Sequence, residues 1–576
     1  MFKENADYKE YLKTMNENLI FYNYDNYQVL TNCLVTNHVH LIIKIEKMSI
    51  LLNDTKFWRL IMATVVNSFS IVGIVAYLVK IEIDTLAGMP SICIVGMGDT
   101  AIKESRERLE AAIINTKFEF PRLKIVINLS PSDIKKRGSH FDLGMAIGLL
   151  LQTRQIRTKE IENYAFIGEL SLNGDLRPCE GVLPMAMEAK KLGIKNIIVA
   201  YDNLKEARLV KGINIFAFNR LNEVTDFLIG VNPYEPIQEV KNNYYIESPY
   251  IVDFEDVQGQ DSAVEFVAVA AAGGHNILMS GAPGCGKSMI AKRIPTILPS
   301  MTEEEALEVT KIYSVSGLLK NRGSLITERP FRAPHHNAST NSLIGGGINA
   351  MPGEISLAHN GILFLDEIAE FKKNTLDALR QPLEDGNITI ARVKNTHVFP
   401  ANFMLVSAMN PCPCGYYGES RCRCTDYEVL KYREKLSGPI MDRIDIQKYF
   451  SSVNIMDLSK GRKGQSSKKL KEKVELARRI QRERFKNIKG VSCNAQMPSQ
   501  LIKEYCNIDA DGMKLFRDAY ERFKYSARTY HKFLKVARTF ADMDAEINIQ
   551  KKHILKALMC REIEKEEREM VVLKNG

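Results

Sequence analysis

Eight consecutive residues near the middle of the chain have the types and spacing of a phosphate-binding loop. They match the pattern G-x-x-x-x-G-K-[ST] and comprise Gly281, Ala282, Pro283, Gly284, Cys285, Gly286, Lys287 and Ser288. Glycines let backbone N–H groups approach phosphate oxygens, while Lys287 can reach the β- and γ-phosphates and Ser288 can hold Mg²⁺. An apolar run precedes the loop and a helical pattern follows it, as a P-loop requires. The sequence therefore predicts a site for ATP and Mg²⁺.

The next motif along the chain supplies carboxylates. Residues 361–365 form an apolar run that ends in Asp366 and Glu367, as expected of a Walker B element. Asp366 would help to hold Mg²⁺, and Glu367 would polarise the attacking water. A chance glycine turn would lack this partner, so the two motifs together favour a working ATPase.

Two further residues are candidates for the same reaction. The apolar run 403–409 ends at Asn410, where a polar side chain could orient the water from a neighbouring strand. Arg443 lies where a ring-forming ATPase would offer an arginine to the γ-phosphate of the neighbouring subunit. Taken singly, Asn410 could equally be an ordinary strand-end residue, and Arg443 a salt-bridged surface residue.

The order of these motifs resembles that of the magnesium-chelatase-like AAA+ ATPases, and in particular of the ComM/YifB family. Three stretches carry the resemblance, 332–336, 352–361 and 437–446, and the likeness covers about residues 62 to 570. By this resemblance, Arg443 is the arginine finger and Arg528 is the lid arginine called sensor 2. The family implies a hexameric ring, and its ComM members act as ATP-driven DNA helicases that migrate branches during uptake recombination.

The region before the P-loop resembles the Lon protease domain. Strand-like runs alternate there with helical ones, and residues 168–178 with the following helix carry the likeness. The catalytic lysine of that family would align with Leu183, and its serine with His140 or, after a one-residue slip, with Ser139. Without a lysine, no base is positioned to take the serine proton. We therefore expect that the fold is kept and that proteolytic activity is lost.

These patterns predict an α/β chain in which a degenerate Lon-protease-like domain precedes an AAA+ P-loop ATPase core and a helical lid. The predicted units are an extension at 1–61, the Lon-like domain at 62–232, a linker at 233–249, the ATPase core at 250–450, a flexible basic segment at 451–474 and the lid at 475–576.

Within the extension, His38 and His40 share one face of a predicted strand and resemble the H-x-H strand of HUH-type transposases. No tyrosine follows them before residue 62 to serve as the nucleophile, and an ordinary strand is the alternative. We expect a transposase-like remnant or a misplaced start, which the working enzyme does not need.

Four of the eleven cysteines cluster directly after Asn410. The pattern C-x-C-x₇-C-x-C comprises Cys412, Cys414, Cys422 and Cys424. Four thiolates on one short hairpin could close a tetrahedral Zn²⁺ site, although the single residue within each pair is fewer than the usual two to four. The alternative is a loop that carries four reduced thiols.

Composition adds only a hint about partners. A net charge of +9 over 576 residues weakly favours polyanionic ligands. No basic head followed by a cleavable apolar core opens the chain, which predicts a cytoplasmic protein. Residues 60–79 are largely apolar, but Asn67, Ser68 and Ser70 interrupt them, so buried strands are favoured over a membrane span and no membrane partner is expected.

The leading functional hypothesis is a hexameric DNA translocase that acts on single-stranded or branched DNA. By resemblance to related helicases, two insertions could contact DNA inside the ring: the turn 345–349 and the hairpin around 390–396, where Arg392 and Lys394 share a strand face. A solvated basic face explains these two side chains equally well. The other hypotheses are a chelatase ATPase subunit, which would resemble only the ATPase core and lid, an ATP-dependent protease, which Leu183 disfavours, and a protein-remodelling ATPase.

Overall fold

A computed structural model describes residues 27–35, 38–45, 63–232, 234–236, 252–319, 325–347, 350–391, 396–451, 464–523, 525–564 and 566. The first two segments are an antiparallel strand pair, β1 (Tyr27–Val35) and β2 (His38–Ile45). The predicted strand through the two histidines is therefore present, whereas the rest of the predicted extension lies outside the described residues. In the described part of the chain, no helix has both the length and the apolar character needed to cross a membrane.

Residues 63–232 form a mixed sheet with helices on both faces. The strands are β3 (Thr64–Val72), β4 (Val75–Leu86), β5 (Ser91–Val95), β6 (Lys124–Ser130), β7 (Tyr164–Ile167), β8 (Glu169–Leu170), β9 (Leu176–Arg177), β10 (Asn196–Ala200) and β11 (Asn214–Phe218). Seven of them are ordered β11-β10-β7-β3-β4-β6-β5, while β8 and β9 form a separate ribbon. The helices are α1 (Thr100–Asn115), α2 (Asp142–Gln152), α3 (Val182–Lys191), α4 (Leu204–Ala207) and α5 (Leu221–Ile229).

The alternation of side chains along β10 explains the two helical layers. Ile198 and Ala200 belong to the hydrophobic cluster beneath α1, α2 and α5. Ile197 and Val199 belong to the cluster beneath α3 and α4. Since successive residues of a strand point to opposite faces, a run of apolar residues produces a strand that is buried on both sides.

Residues 252–451 are built on a second, parallel sheet. The strands are β12 (Ile277–Gly281), β13 (Phe331–Arg332), β14 (Gly345–Gly346), β15 (Met351–Pro352), β16 (Ile362–Leu365), β17 (Asn387–Ala391), β18 (Thr396–Pro400), β19 (Met404–Met409) and β20 (Ile446–Phe450). The parallel sheet has the order β13-β16-β19-β12-β20, and β14–β15 and β17–β18 are antiparallel ribbons. The helices are α6 (Asp261–Gly273), α7 (Lys287–Arg293), α8 (Glu303–Val315), α9 (Thr340–Ile344), α10 (Glu354–Leu357), α11 (Lys373–Asp377), α12 (Arg380–Asp385), α13 (Asp426–Arg433) and α14 (Gly438–Met441).

The C-terminal part is helical. Its helices are α15 (Ser467–Phe485), α16 (Ser499–Tyr505), α17 (Ala510–Phe523), α18 (Ala527–Met543) and α19 (Lys551–Leu558). The prediction of a flexible segment through residue 474 is wrong from residue 467 onward. Leu470, Val474 and Ala477 form a buried stripe at helical spacing, and the Ser466 side chain accepts a hydrogen bond from the Lys469 N–H. The burial of this stripe outweighs the Lys-, Gly- and Ser-rich composition.

One helix of the second unit attaches the two units to each other. Leu307, in the first half of α8, packs against the hydrophobic cluster beneath α3 and α4. The Ser314 hydroxyl, near the other end, donates to the buried Glu206 carboxylate over 2.5 Å. Glu206 also accepts from the Leu183 N–H at 2.8 Å, so the same carboxylate caps the start of α3. At the first residue of α8, Lys211 pairs with Glu303 at 2.8 Å.

The residues that the Lon likeness aligned with a protease site are engaged elsewhere. Leu183 is fully buried in the hydrophobic cluster. The Ser139 hydroxyl donates to the Glu169 carboxylate. His140 Nε2 lies 2.7 Å from the Phe69 carbonyl oxygen, and burial lowers the pKa of His140 to about 4. The loss of proteolytic activity remains a prediction.

Candidate nucleotide site and cysteine cluster

The P-loop connects the carboxyl end of β12 to the start of α7. Gly284 and Gly286 have φ angles of +80° and +92°, in the left-handed region that favours glycine. Lys287 is the first residue of α7, so the loop delivers its backbone to a helix N-terminus. A strand, a glycine-rich turn and a helix N-terminus in this order form a cradle for phosphate.

The Lys287 side chain is folded into this cradle and is only 9% exposed. Its Nζ donates to the carbonyl oxygens of Gly281 at 2.6 Å and Ala282 at 3.0 Å. The Asn410 Oδ1 atom lies 3.4 Å from the same nitrogen. These oxygens carry only partial negative charge, so phosphate oxygens would be stronger partners for the ammonium group.

The two predicted Mg²⁺ ligands lie side by side. The Ser288 hydroxyl donates to Asp366 Oδ2 over 2.7 Å. Asp366 follows β16, and Ser288 lies in the first turn of α7. A hydroxyl and a carboxylate are oxygen ligands of the kind Mg²⁺ prefers, and the bound ion would neutralise charge on the β- and γ-phosphates. These residues therefore fit the predicted ion.

Glu367 has an unusual backbone conformation. Its φ of +50° lies in the left-handed region, which non-glycine residues rarely adopt and which is often found at functional sites. The Glu367 side chain is 55% exposed, and its Oε2 atom lies 3.4 Å from His336 Nδ1. Sequence reasoning assigned no role to His336, although the residue lies in one of the stretches that carry the family likeness.

The sheet order brings Asn410 to the same site. β19 lies between β12 and β16 and is parallel to both. Asn410 follows β19, so it leaves the same edge of the sheet as the P-loop and the Asp366–Glu367 pair. This placement explains the contact between Asn410 and Lys287, and it lets the amide reach the space above the P-loop.

Arg443 lies at the opposite edge of the sheet. The Arg443 carbonyl accepts a hydrogen bond from Asn276 Nδ2 at 3.0 Å, and Asn276 directly precedes β12. β20 begins three residues after Arg443 and pairs in parallel with β12, with Ile446 opposite Ile277. The length of β12, roughly 16 Å for five residues, therefore separates this arginine from the P-loop of its own chain.

Arg528 shares a cleft with Arg443. The cleft is lined by the loop before β12, by α12, by the segment before β20 and by α18, which carries Arg528 near its first turn. None of residues 281–288, all of which are described, lines it. The structure thus separates the predicted site residues into two groups, with the P-loop, Asp366, Glu367 and Asn410 at one edge and the two arginines at the other.

A buried polar network holds together the elements that surround Arg443 and Arg528. Asp445 Oδ2 lies 3.2 Å from His275 Nδ1, and Asp445 Oδ1 lies 3.1 Å from Lys532 Nζ. Burial alone would raise the pKa of Asp445, but the charge of Lys532 and the His275 hydrogen bond hold it well below the usual range. His275 also bonds Thr539 Oγ1 at 2.8 Å, so the network joins the sheet to α18.

The four clustered cysteines have the geometry of a tetrahedral metal site. All four sulfur atoms lie within 4.8 Å of one another. Cys412 Sγ is 3.3 Å from Cys414 Sγ and 3.9 Å from Cys422 Sγ, and the latter two are 3.7 Å apart. A Zn–S bond of about 2.3 Å implies sulfur separations of about 3.8 Å in a tetrahedron. The cluster, completed by Cys424, therefore fits Zn²⁺.

The charge of the cluster also favours a cation. Backbone hydrogen bonds from Arg423 and Tyr416 lower the pKa of Cys414 to about 6. A backbone hydrogen bond from Cys414 favours the Cys424 thiolate, but desolvation and the neighbouring sulfur atoms raise the pKa of Cys424 to about 12. One thiolate thus opposes the ionisation of the next, and a bound cation would relieve this repulsion.

A P-loop, an acidic strand end, a polar residue on an interposed parallel strand and an arginine at the far edge define the core of an AAA+ ATPase. The family models that match support this class. "Magnesium chelatase, subunit ChlI" matches residues 253–458, "Subunit ChlI of Mg-chelatase" matches 81–203, and "Magnesium chelatase, subunit ChlI C-terminal" matches 464–561.

Whole-chain relatives narrow the class further. The uncharacterized protein YifB of Salmonella typhimurium is 39% identical over 506 residues, which cover 87% of this chain and 97% of YifB. The competence protein ComM of Haemophilus influenzae is 38% identical over 507 residues, 86% of this chain and 97% of ComM. The chain therefore belongs to the ComM/YifB family of magnesium-chelatase-like AAA+ proteins, as the motifs predicted. Lon protease 2 of Bacillus subtilis is 35% identical over 105 residues, 18% of each chain.

Proposed function

We propose that this protein is a ring-forming, ATP-dependent DNA translocase of the ComM type, which migrates branches during recombination. The observation that carries the proposal is the division of the hydrolytic groups between two edges of one sheet. The P-loop, Asp366, Glu367 and Asn410 can bind ATP and activate water, but the two arginines lie across the sheet.

This division makes a single chain incomplete as an enzyme. An arginine that stabilises the charge developing on the γ-phosphate must contact that phosphate. With roughly 16 Å of β12 between them, Arg443 serves a neighbouring P-loop and not its own. If the subunits pack head to tail, each P-loop receives an arginine from the next chain. A head-to-tail assembly that closes on itself is a ring. We propose that the ring has six subunits, because the resemblance to the family implies a hexamer.

DNA as the substrate rests on the family and on the hairpin β17–β18. The relative ComM is named a competence protein, and we carry this function over to the present chain. The hairpin β17–β18 is present, but Arg392 and Lys394, and part of the turn 345–349, lie outside the described residues. Their contact with phosphates, and the cytoplasmic location of the protein, remain predictions.

A chelatase-like ATPase subunit is the second candidate, because all three family models carry the name of the magnesium chelatase subunit. One of these family models matches residues 81–203, so the presence of a region before the P-loop does not distinguish a chelatase subunit from a DNA translocase. Measuring the ATPase rate with and without single-stranded and branched DNA does separate them, with Lys287→Ala as the control for contaminating activity. Stimulation by DNA is expected, and an unchanged rate would overturn the DNA assignment.

We further propose that the cysteine cluster binds one Zn²⁺ per chain through four thiolates. The separations between the sulfur atoms and the lowered pKa of Cys414 support this site. Metal analysis of the purified protein should find one equivalent of zinc. Four freely titratable thiols and no zinc would overturn the site.

A further inference from the structure

The cysteine loop, which we define as residues 412–424, contacts the nucleotide site at one glycine. Gly415 has a φ of +87°, and a Cβ at this position would lie 2.7 Å from Cδ of Pro283. The same Cβ would lie 3.9 Å from Cγ of Asn410. Pro283 belongs to the P-loop, and Asn410 contacts Lys287. The backbone at Gly415 therefore packs closely against Pro283 of the P-loop and lies near Asn410.

A buried arginine fixes one end of the cysteine loop to the sheet. The side chain of Arg433 is 5% exposed, and its Nε donates to the Pro411 carbonyl at 3.3 Å. The guanidinium carbon lies 5.2 Å from the centre of the Tyr417 ring. Arg433 also donates to the Tyr449 hydroxyl, in β20, at 2.9 Å and pairs with Glu566 at 3.2 Å. The first half of the loop is thus held to β20, the neighbour of β12.

The thiols determine where the second half of the loop lies. Cys422 Sγ lies 3.7 Å from Cys414 Sγ and 3.9 Å from Cys412 Sγ, so the two halves meet at the sulfur atoms. Gly415 lies in the first half, one residue after Cys414, whose sulfur atom belongs to this cluster. A metal ion bound by all four thiolates would hold both halves together, whereas adjacent thiolates without a cation repel one another.

We propose that metal in the cysteine loop supports the nucleotide site by holding Gly415 against Pro283 and Asn410. This inference rests on the zinc site and the nucleotide site proposed above. Metal-loaded protein has the P-loop and Asn410 preorganised for nucleotide. Loss of the metal releases Cys414, the residue before Gly415, so that Gly415 shifts relative to Pro283 and nucleotide binding weakens.

Two glycines of the loop provide a matched test. Gly415 and Gly418 have φ angles of +87° and +85°, so alanine strains the backbone similarly at both positions, but a Cβ at Gly418 would meet no atom within 4 Å. We expect zinc to be retained in Gly415→Ala and Gly418→Ala. Gly415→Ala should weaken the equilibrium affinity for a fluorescent ADP analogue about tenfold, because overpacking displaces the P-loop, and Gly418→Ala should change it less than about twofold. Equal affinities in the two variants would overturn the contact.

Removing a ligand tests the role of the metal itself. Cys422→Ser should lose zinc and bind the ADP analogue about tenfold more weakly, whereas Cys93→Ser, at an exposed free cysteine of β5, should change neither. Treating the wild-type protein with a chelator selective for Zn²⁺ over Mg²⁺ should lower the affinity, and adding zinc back should restore it.

The outcomes separate this inference from those on which it rests. Loss of zinc with unchanged affinity overturns the inference and leaves the zinc site standing. A wild-type protein without zinc overturns both. A wild-type protein that binds zinc but no nucleotide overturns the proposed ATPase.

Discussion

Mixing two inactive variants tests which chain supplies the arginine to a given nucleotide. Lys287→Ala removes the phosphate contact of the P-loop, and Arg443→Ala removes the arginine at the far edge of the sheet. Each variant alone should be inactive, because every nucleotide site lacks one of the two groups. Since roughly 16 Å of strand separates the two groups within a chain, an intact pair can form only between two chains. A mixed ring contains interfaces at which an intact P-loop meets an intact arginine, and those interfaces should hydrolyse ATP.

The expected recovery follows from counting interfaces. In an equal, random mixture, the P-loop chain carries Arg443→Ala at about half of the interfaces and its neighbour carries Lys287→Ala at about half of those, so about a quarter are complete. Phosphate release should therefore recover to about a quarter of the wild-type rate. The assay requires that the variants exchange subunits and assemble as the wild type does, which size-exclusion chromatography checks. No recovery at any mixing ratio would refute an arginine that acts between subunits.

A second mixture tests Arg528 in the same way. Since Arg528 lines the same cleft as Arg443, we expect both to serve the same neighbouring site. A mixture of Arg443→Ala and Arg528→Ala should then stay inactive, because every chain lacks one of the two arginines. If Arg528 instead served its own P-loop, about a quarter of the interfaces would be complete and the rate would recover accordingly.

Substitutions in the nucleotide site and in the buried network around Asp445, and removal of the N-terminal extension, provide three further tests. Lys287→Ala should abolish nucleotide binding, whereas Glu367→Gln should retain it and stop hydrolysis; equal loss of binding in a fluorescence titration would contradict these roles. Asp445→Asn should destabilise the fold by about 3 kcal/mol at pH 7, because it leaves Lys532 buried without its partner. Since the pKa of Asp445 is lowered in the folded state, the deficit in thermal stability should shrink as the pH falls below the unfolded value of about 3.9, and a deficit independent of pH would argue against this account. A chain that begins at Met62 should keep its ATPase activity and ring assembly, and failure to fold or assemble would show that the extension is structural.

The nucleotide half of the site could be predicted because its chemistry is local in sequence. The P-loop, Asp366, Glu367 and Asn410 each follow an apolar run of strand length, and parallel strands deliver their carboxyl ends to one edge of a sheet. The motif around Arg528 also predicted, by its resemblance to the family, that this residue is the lid arginine. It did not predict that Arg528 shares a cleft with Arg443, because that placement depends on how α18 packs against the sheet.

Other contacts left no signal in the sequence. Arg433 joins the cysteine loop to Glu566, which is 133 positions away, and a single arginine at the end of a polar helix has no pattern that reveals such a partner. The contact between Gly415 and Pro283 likewise depends on a loop conformation. The start of α15 was missed because polar composition concealed three buried residues at helical spacing. Tertiary burial outweighed local composition there.

The attachments along α8 have a mechanical consequence. Glu303, Leu307 and Ser314 all bind the N-terminal unit, and they span roughly 16 Å of one helix. Contacts spread over this length would resist rotation as well as translation, so a tilt of the second unit would carry the N-terminal unit with it as a lever arm. A small tilt of the core during ATP turnover would become a larger displacement at the outer rim of the seven-stranded sheet.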